Sequence, residues 1–562
     1  MRLDLLRFRL GQSALWATLT TTLVVNPWGN FDPISVVKMT ALTTFAFMSL
    51  GMLVYGRNKL LENVDRKLLF CLSAFIACMF STLLFSKAPL PQQIWGIFGR
   101  NTGILSYFSL AIIFLTATII NQISFYNRTV TFLIATAVPM TLYCIIQILG
   151  KDPIGWSMKQ TFGTLGNINF LSAFMGLVIV ACIALAIDSK ITVFKRCLLL
   201  ILALVDLYIV KTTGSIQGIM MSAAGVSLIG FYWLGKFHKN KGLRISYVSL
   251  ALIAAIVGGL GLANKGPLSR ILFQESNVLR TDYWHAGWQM TTDHPLFGVG
   301  MDSYGDWYRE ARGLISTLRG SPDRTANTAH NIFLDISSNG GLPLLIAYLC
   351  LLFFALRAIM RMLKRQNRNY DATFIALSSV WFAYQIQALV SINQLGVGVW
   401  GWLYSGAVVG YEKMNSDSSS QPKGRNSKEA KTQFKGKPLP TLASISAITG
   451  AAVGLLLAFP ALNADSRFFN SLRSGNVQKL VDISDLPGIT AFHLGRIIER
   501  SMSVSDLNSA RLIDEQLISK FPRDYFGWAV RYDLGNSSPE EKAEAAHVLH
   551  LLDPFNPTLP KG

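Results

Sequence analysis

Apolar runs of membrane-crossing length recur from one end of this sequence to the other and leave it few folds to choose from. A bilayer core of roughly 30 Å takes about 20 apolar residues of helix. Residues 34–55, 68–85, 130–149, 171–187 and 245–262 meet or approach that length. Weaker candidates are 13–25, 105–120, 197–210, 219–234, 342–356, 374–392, 397–409 and 442–457. Together they predict an all-α, polytopic transmembrane helical bundle of about 13 spans. A soluble chain would need polar surface for several domains. Only 15% of these 562 residues are charged, where soluble domains carry about a quarter.

The net charge of +19 suggests nucleic acid at first sight, but its distribution argues otherwise. Basic residues gather in alternate loops: Arg2, Arg7 and Arg9; Arg57, Lys59, Arg66 and Lys67; Lys190, Lys195 and Arg196; Lys236, Lys239, Lys241 and Arg244; Arg357 to Arg368; and 413–437. The intervening loops hold few, among them Lys87, Arg100, Lys151, Lys159 and Lys211. This is the positive-inside bias. It predicts a cytoplasmic N-terminus, an extracytoplasmic C-terminus and a lipid bilayer as partner, with no nucleic acid. The opening MRLDLLRFRL reads as the start of a retained span rather than a cleavable signal. Cys71, Cys78, Cys144, Cys182, Cys197 and Cys350 lie in or beside apolar runs, so no disulfide framework is expected.

Residues 1–412 form the membrane region, interrupted by a polar outer loop, 264–329, rich in Tyr and Trp. A Ser, Lys and Gly-rich stretch, 413–438, reads as a cytoplasmic linker before a last span at 439–460. The tail, 461–562, is predicted to be small, helical and extracytoplasmic. Apolar residues recur at helical spacing at Leu507, Leu512, Ile513, Leu517 and Ile518 before Pro522, and Ser538 precedes Pro539, Glu540 and Glu541 as a helix start. Such paired helices resemble tetratricopeptide units without a clean repeat; a packing or docking module is the simpler reading.

Ionisable groups within spans face a partner or a cavity. Lys38 and Asp206 are both expected in the outer third of their helices, where they pair or share a polar cavity opening outward; the plainer reading is that Lys38 snorkels outward and Asp206 meets a structural partner such as Lys211. The outer face carries Trp95-Gly-Ile-Phe-Gly-Arg-Asn-Thr-Gly103, Gln160-Thr-Phe-Gly-Thr-Leu-Gly-Asn-Ile-Asn169 and Lys211-Thr-Thr-Gly-Ser-Ile-Gln-Gly218. The loop adds Arg280-Thr-Asp-Tyr-Trp284, Asp293-His-Pro-Leu-Phe-Gly-Val-Gly300 and His330-Asn331, with Gly341 beyond. Arginines grip phosphate oxygens with forked geometry. Glycines let backbone N–H groups approach an anion, and aromatic faces suit sugar rings. A histidine can take a hydroxyl proton. A lipid-linked diphosphate bearing a sugar presents all of these needs at this depth.

Arg280 with Tyr283-Trp284, the Asp293–Gly300 stretch and His330-Asn331 closing a long outer loop resemble the O-antigen ligase family, which includes O-antigen polymerases and protein O-oligosaccharyltransferases. Gly163-Thr-Leu-Gly-Asn-Ile-Asn-Phe170 is similar to its stretch before a central span, and Gly99-Arg100 with Gly103 to its earlier arginine motif. The resemblance covers roughly 95–412. It implies a metal-independent, cofactor-free glycosyltransferase of the bacterial inner membrane. Its partners would be a polyprenyl diphosphate-linked glycan and a glycolipid, polysaccharide or protein acceptor. Carried over by motif, His330 would be the base, Arg280 and Arg100 would hold the diphosphate, and Asn331 would orient the site. Tyr283, Asn167 and Asn169 join them as substrate-binding candidates. The chain departs from the pattern at Ile216, where an arginine is usual and for which Lys211 or Gln217 would substitute, and at Leu344.

Plainer readings stand beside these. His330 would cap the following helix, Arg280 would pair with Asp282 or Asp293, and Arg100 would meet lipid headgroups. His285 and His294 lack helical metal spacing and a ligand set. Gly298-Val-Gly300 lacks the third glycine of a dinucleotide loop. The competing function classes are an O-antigen-type polymerase, a solute transporter using Lys38 and Asp206, and a scaffold acting through its tail.

Overall fold

The computed structural model describes residues 2–62, 64–156, 159–237, 240–273, 275–365, 370–418 and 438–560. Lys239, Arg368 and residues 419–437 of the expected linker lie outside these. The described residues are helical, without strands. The first half holds α1 (Arg2–Leu23), α2 (Ser35–Leu60), α3 (Arg66–Phe85), α4 (Leu90–Trp95), α5 (Ile104–Ile119), α6 (Ile123–Ile148), α7 (Ile168–Ala186), α8 (Val193–Thr213), α9 (Gln217–Phe237) and α10 (Lys241–Leu262). The outer loop contains α11 (Ser269–Leu272), α12 (Glu275–Asp293), α13 (Tyr304–Ala311) and α14 (Leu314–Gly320). Then follow α15 (Ile332–Lys364), α16 (Ala372–Ala388), α17 (Leu395–Ser418) and α18 (Thr441–Arg473). The tail adds α19 (Val477–Val481), α20 (Ala491–Ser503), α21 (Leu507–Lys520), α22 (Tyr525–Asp533) and α23 (Pro539–Leu552).

Every apolar run of the sequence lies mainly in a helix. Among the described residues eight helices, α2, α3, α6, α7, α9, α10, α15 and α18, are long and apolar enough to cross a membrane. The runs in α1, α5, α8, α16 and α17 are helical too. The bundle's outer surface is apolar: Leu250, Leu252, Ile253 and Ile256 of α10 are all exposed, which suits lipid rather than water. The sequence also punctuates the helices. Asp65, Thr192, Asn240 and Asp371 each accept a backbone N–H at the start of α3, α8, α10 and α16. Residues 413–418, expected to open a linker, extend α17.

The centre of the bundle is made by α5, α7, α16 and α17 with α1 and α2 around them. Against α2 lies α18, the span that leads to the tail. Small residues permit this approach: a Cβ on Gly450 would meet the carbonyl oxygen of Phe47 at 2.1 Å, and one on Gly454 that of Thr43 at 2.6 Å. Spaced four apart, these glycines let two backbones touch where lipid supplies no hydrophobic drive.

Lys38 and Asp206 do not form a pair. Lys38 is buried and donates to the carbonyls of Thr21 and Thr22 at 2.9 and 2.6 Å. Asp206 accepts from the Thr141 hydroxyl at 2.6 Å. Each is held by a neighbouring helix: Lys38 stays buried instead of reaching outward, and the partner of Asp206 is Thr141 and not Lys211.

The tail helices form their own apolar core, including Phe468, Leu494, Ile498, Ile513 and Leu517. Ser538 caps α23 in a reciprocal box with Glu541, with Pro539 at the first position. The tail packs on the same end of the bundle as the outer loop. Asp553 receives Arg309 at 2.8 Å and Arg312 at 2.7 Å, and it is fully buried. This multiply bonded ion pair pins the end of α23 to α13.

Candidate active site

α15 begins at Asn331, whose side-chain oxygen accepts the N–H groups of Phe333 at 2.9 Å and Leu334 at 3.2 Å. From the first turn Asp335 reaches back to the N–H of Ala329 at 2.7 Å. The residue between these clamps is His330, held at φ +52° in the left-handed region and bonded through its N–H to the Thr328 hydroxyl at 3.1 Å. A bulky residue keeps such a conformation only where its surroundings over-determine it.

Eleven residues further on, α15 breaks at Gly341 (φ +78°), ahead of Pro343. The break frees carbonyls that a straight helix would use. The Asp293–Gly300 stretch fills them: Val299 N–H donates to Ser338 at 2.8 Å and Gly300 N–H to Asn339 at 3.0 Å. In return Leu342 N–H donates to Pro295 at 2.8 Å. Gly298, at φ +62°, has room for no side chain, since a Cβ would meet the Asn339 carbonyl carbon at 2.4 Å. The two motifs are therefore halves of one joint that fixes the start of α15.

Across from His330, α12 presents Tyr283, whose ring stacks on the imidazole at 5.5 Å between centroids and 29° between planes. Tyr283 is itself fixed through its carbonyl, which accepts the Tyr304 hydroxyl at 2.6 Å. Arg280 stands one turn earlier on α12. Asp282 is taken by Arg319 at 3.0 Å and Asp293 by Gln289, so neither is the partner of Arg280. Arg280 makes no ion pair among the described residues.

Arg100 sits in the 96–103 loop between α4 and α5. Two aspartates shape that loop. Asp302 accepts from Ile97 N–H at 2.9 Å, Thr102 N–H at 3.2 Å and the Thr102 hydroxyl at 2.9 Å. Asp32 accepts from Gly99 N–H at 3.2 Å. The Arg100 guanidinium has no carboxylate within ion-pair distance among the described residues.

These pieces enclose a cavity of about 360 Å³. Arg100, Asn167, Asn169, Gln217 and His330 all line it, joined by Asp32, Asn327, Asn393 and Gln394. Asn167 caps α7 through the N–H of Asn169, and Asn169 accepts the Ser215 hydroxyl at 2.7 Å. Among the described residues the side-chain oxygen of Gln217 is buried without a partner, which leaves hydrogen-bonding capacity at the cavity wall. Burial pushes His330 down to about 3, and the Arg100 and Arg280 charges push the same way. Burial also lowers both arginines. The result is a neutral imidazole near two guanidinium groups that make no ion pair among the described residues, although the Asp302 and Asp335 carboxylates lie close enough to offset part of the Arg100 charge; such an arrangement favours an anion beside a base.

Not every candidate lines this cavity. Tyr283 and Arg280 act from behind His330, outside the cavity lining. Asn331 uses its oxygen to cap α15. Lys211 is exposed at the end of α8 and does not line the cavity, so of the two substitutes for the arginine missing at Ile216 only Gln217 is present. Asp32, Asp302, Asp335, Asn393 and Gln394 were not anticipated. Of these only Asn393-Gln394, a polar pair ending an apolar run, carried a visible signal.

A second cavity, about 440 Å³, lies between the outer loop and the tail. It shares Asp32, Phe98 and Asn327 with the first and is walled on the far side by Phe492, His493, Tyr525 and Phe526.

No curated protein is significantly similar in sequence to this chain. A family model described as O-antigen ligase matches residues 198–349. That span runs from α8 past the break in α15 and contains Gln217, Arg280, Tyr283, His330 and the Gly298–Gly341 joint, so the chain's similarity to the O-antigen ligase family lies in the part that includes these residues.

Proposed function

We propose that this protein moves a glycan from a polyprenyl diphosphate carrier to an acceptor hydroxyl, as a multi-pass enzyme of the bacterial inner membrane. The reaction would take place on the extracytoplasmic face. The observation that carries the reading is His330, neutral and partly buried, on the wall of a cavity that also holds Arg100, with Arg280 close enough to act on its charge.

In the proposed reaction the acceptor oxygen attacks the anomeric carbon and loses its proton to His330. The bond from that carbon to the diphosphate oxygen breaks, and its electron pair leaves with the diphosphate. Arg100 and Arg280 stabilise the departing charge, which increases as the bond breaks. Direct displacement inverts the anomeric carbon. Donor binding also prepares the base: an anion between the arginines cancels part of the field that holds His330 down. The tail-walled cavity offers the acceptor, whether glycolipid, polysaccharide or protein, a separate approach to the same point.

Substituting His330→Asn tests this, because asparagine tolerates the left-handed backbone. The expected result is normal abundance in membranes with glycan transfer lost; Arg280→Gln and Arg100→Gln should each lower transfer. Carrier-linked full-length chains accumulating in the His330→Asn strain would identify ligation, and a ladder collapsing to one unit would identify polymerisation. Unchanged glycans with altered solute uptake would support a transporter instead.

A further inference from the structure

A cavity of about 490 Å³ opens at the other end of the bundle, between the start of α1, the α2–α3 turn and the last turns of α15 and α17. Arg7 in its wall lies about 22 Å along α1 from Thr22, whose carbonyl accepts the Thr164 hydroxyl next to the reaction cavity. The two cavities are therefore separate.

Four cations face this one: Arg7, Arg357, Arg361 and Lys413. Three carboxylates are also present and do not neutralise them. Glu412 is taken by Arg365 at 2.9 Å, with Arg361 at 4.0 Å from its other oxygen. Asp65 caps α3 through Lys67 N–H and, like Glu62, is exposed at the rim. Arg357 and Lys413 have no ion pair among the described residues. Arg7 is largely buried, with its side chain 13% exposed. Its nearest carboxylate oxygen, on Asp4, is 3.9 Å away, beyond hydrogen-bond length, and its Nε is buried with no acceptor. A buried guanidinium N–H without an acceptor is a costly arrangement that a bound anion would relieve.

The remaining wall is apolar, with Leu60, Leu68, Phe354 and Val409. We propose that this cavity binds a phosphate-bearing anion, with the phosphate against Arg7, Arg357 and Lys413. Guanidinium groups match phosphate oxygens in forked pairs. The apolar wall beside them fits the glycerol and first acyl carbons of an anionic phospholipid, the kind of ligand that basic pockets between membrane helices take up. The inference is independent of the transferase reading, since it uses none of the residues around His330.

The test uses the full chain in detergent, stripped of bound lipid, and titrated separately with phosphatidylglycerol, phosphatidylcholine and inorganic phosphate. Thermal unfolding reports binding, and native mass spectrometry counts retained lipid. Phosphatidylglycerol is expected to raise the unfolding midpoint and remain as a single bound copy, where phosphatidylcholine does neither. A stabilisation by inorganic phosphate that matches that by phosphatidylglycerol would confirm the phosphate site and identify a soluble phosphate as its source. The double variant Arg357→Gln/Lys413→Gln should bind about tenfold more weakly, and Arg357→Lys, which keeps the charge but loses the fork, should bind between that variant and the wild type. Equal responses to the two lipids with none to phosphate, or a double variant indistinguishable from wild type, would overturn the proposal. Should the double variant not fold, the two lipid titrations of the wild type decide alone.

Discussion

The phenol ring of Tyr283 covers one face of the His330 imidazole, 5.5 Å from centroid to centroid. The two residues come from different elements, α12 and the turn before α15, so the stack fixes the imidazole across the outer loop. The Tyr283 hydroxyl makes no hydrogen bond among the described residues; the ring therefore does the positioning. An aromatic pair contributes about 0.5–1.5 kcal/mol beyond burial. Tyr283→Phe is expected to keep transfer within about twofold, and Tyr283→Ala to lower it about tenfold at unchanged abundance. Equal loss in both variants would assign the role to the hydroxyl instead.

A second prediction concerns pH. His330 is pushed down to about 3, first by burial and then by Arg100 and Arg280. An unfolded histidine titrates near 6.5. Between these values the unfolded chain binds a proton that the folded one refuses, so His330 lowers stability as pH falls from about 6.5 towards about 3 and has no effect above that window. For catalysis, kcat/KM reports the free enzyme and kcat the bound complex. The kcat/KM profile should show no acid limb from His330 across the neutral range. In kcat the limb should lie at higher pH, because a bound diphosphate offsets both arginines. Arg100→Gln should raise the free-enzyme limb, though not to 6.5, since burial remains. Coincident kcat and kcat/KM profiles in the wild type would contradict this account.

The helices were legible in the sequence because their signal is local. Long apolar runs, capping residues such as Asp65 and Ser538, and Pro539 each act within a turn or two of where they stand. His330, Arg100, Asn167, Asn169 and Gln217 were legible as motif members, and they share one cavity. Asp302 and Asp32 were not, because a lone aspartate looks the same whether it shapes a loop two hundred residues away or faces solvent. Lys211 stands near Gln217 in the chain, yet it is exposed at the end of α8 and does not line the cavity. No pattern of spacing predicts that the Asp293–Gly300 stretch exists to complete a broken helix, since the break and its repair lie forty residues apart.

That joint can be tested directly. At Gly298 an alanine would need φ +62° and would place its Cβ 2.4 Å from the Asn339 carbonyl carbon. Backbone must move, and with it the bonds from Val299 and Gly300 to the open carbonyls. Strain and overpacking of this kind each cost about 1–3 kcal/mol. Gly298→Ala should lower the thermal midpoint of the purified protein and reduce transfer together. A variant with normal stability and normal transfer would show that the joint does not hold the start of α15.

Asp465, at the outer end of α18, ties the tail to the reaction cavity. Its carboxylate accepts from the Asn30 side chain at 3.0 Å, Phe31 N–H at 2.9 Å and Asp32 N–H at 3.0 Å, and faces His493 Nε2 at 3.2 Å. Asp32 in turn accepts the N–H of Gly99, the neighbour of Arg100. One buried carboxylate thus connects α20 of the tail, through the α1–α2 turn, with the arginine loop. Removing it leaves several buried donors without an acceptor, at about 3–5 kcal/mol when one side of a buried charged contact is deleted. Asp465→Ala should speed proteolytic cleavage between residues 474 and 490 and lower transfer, while abundance of the membrane region holds. Restoring the acceptor with Asp465→Asn should recover part of both, since the amide keeps one oxygen but turns a donor towards its neighbours. If the tail of Asp465→Ala is as protected as that of the wild type while transfer still falls, Asp465 acts on the site by a route other than tail docking.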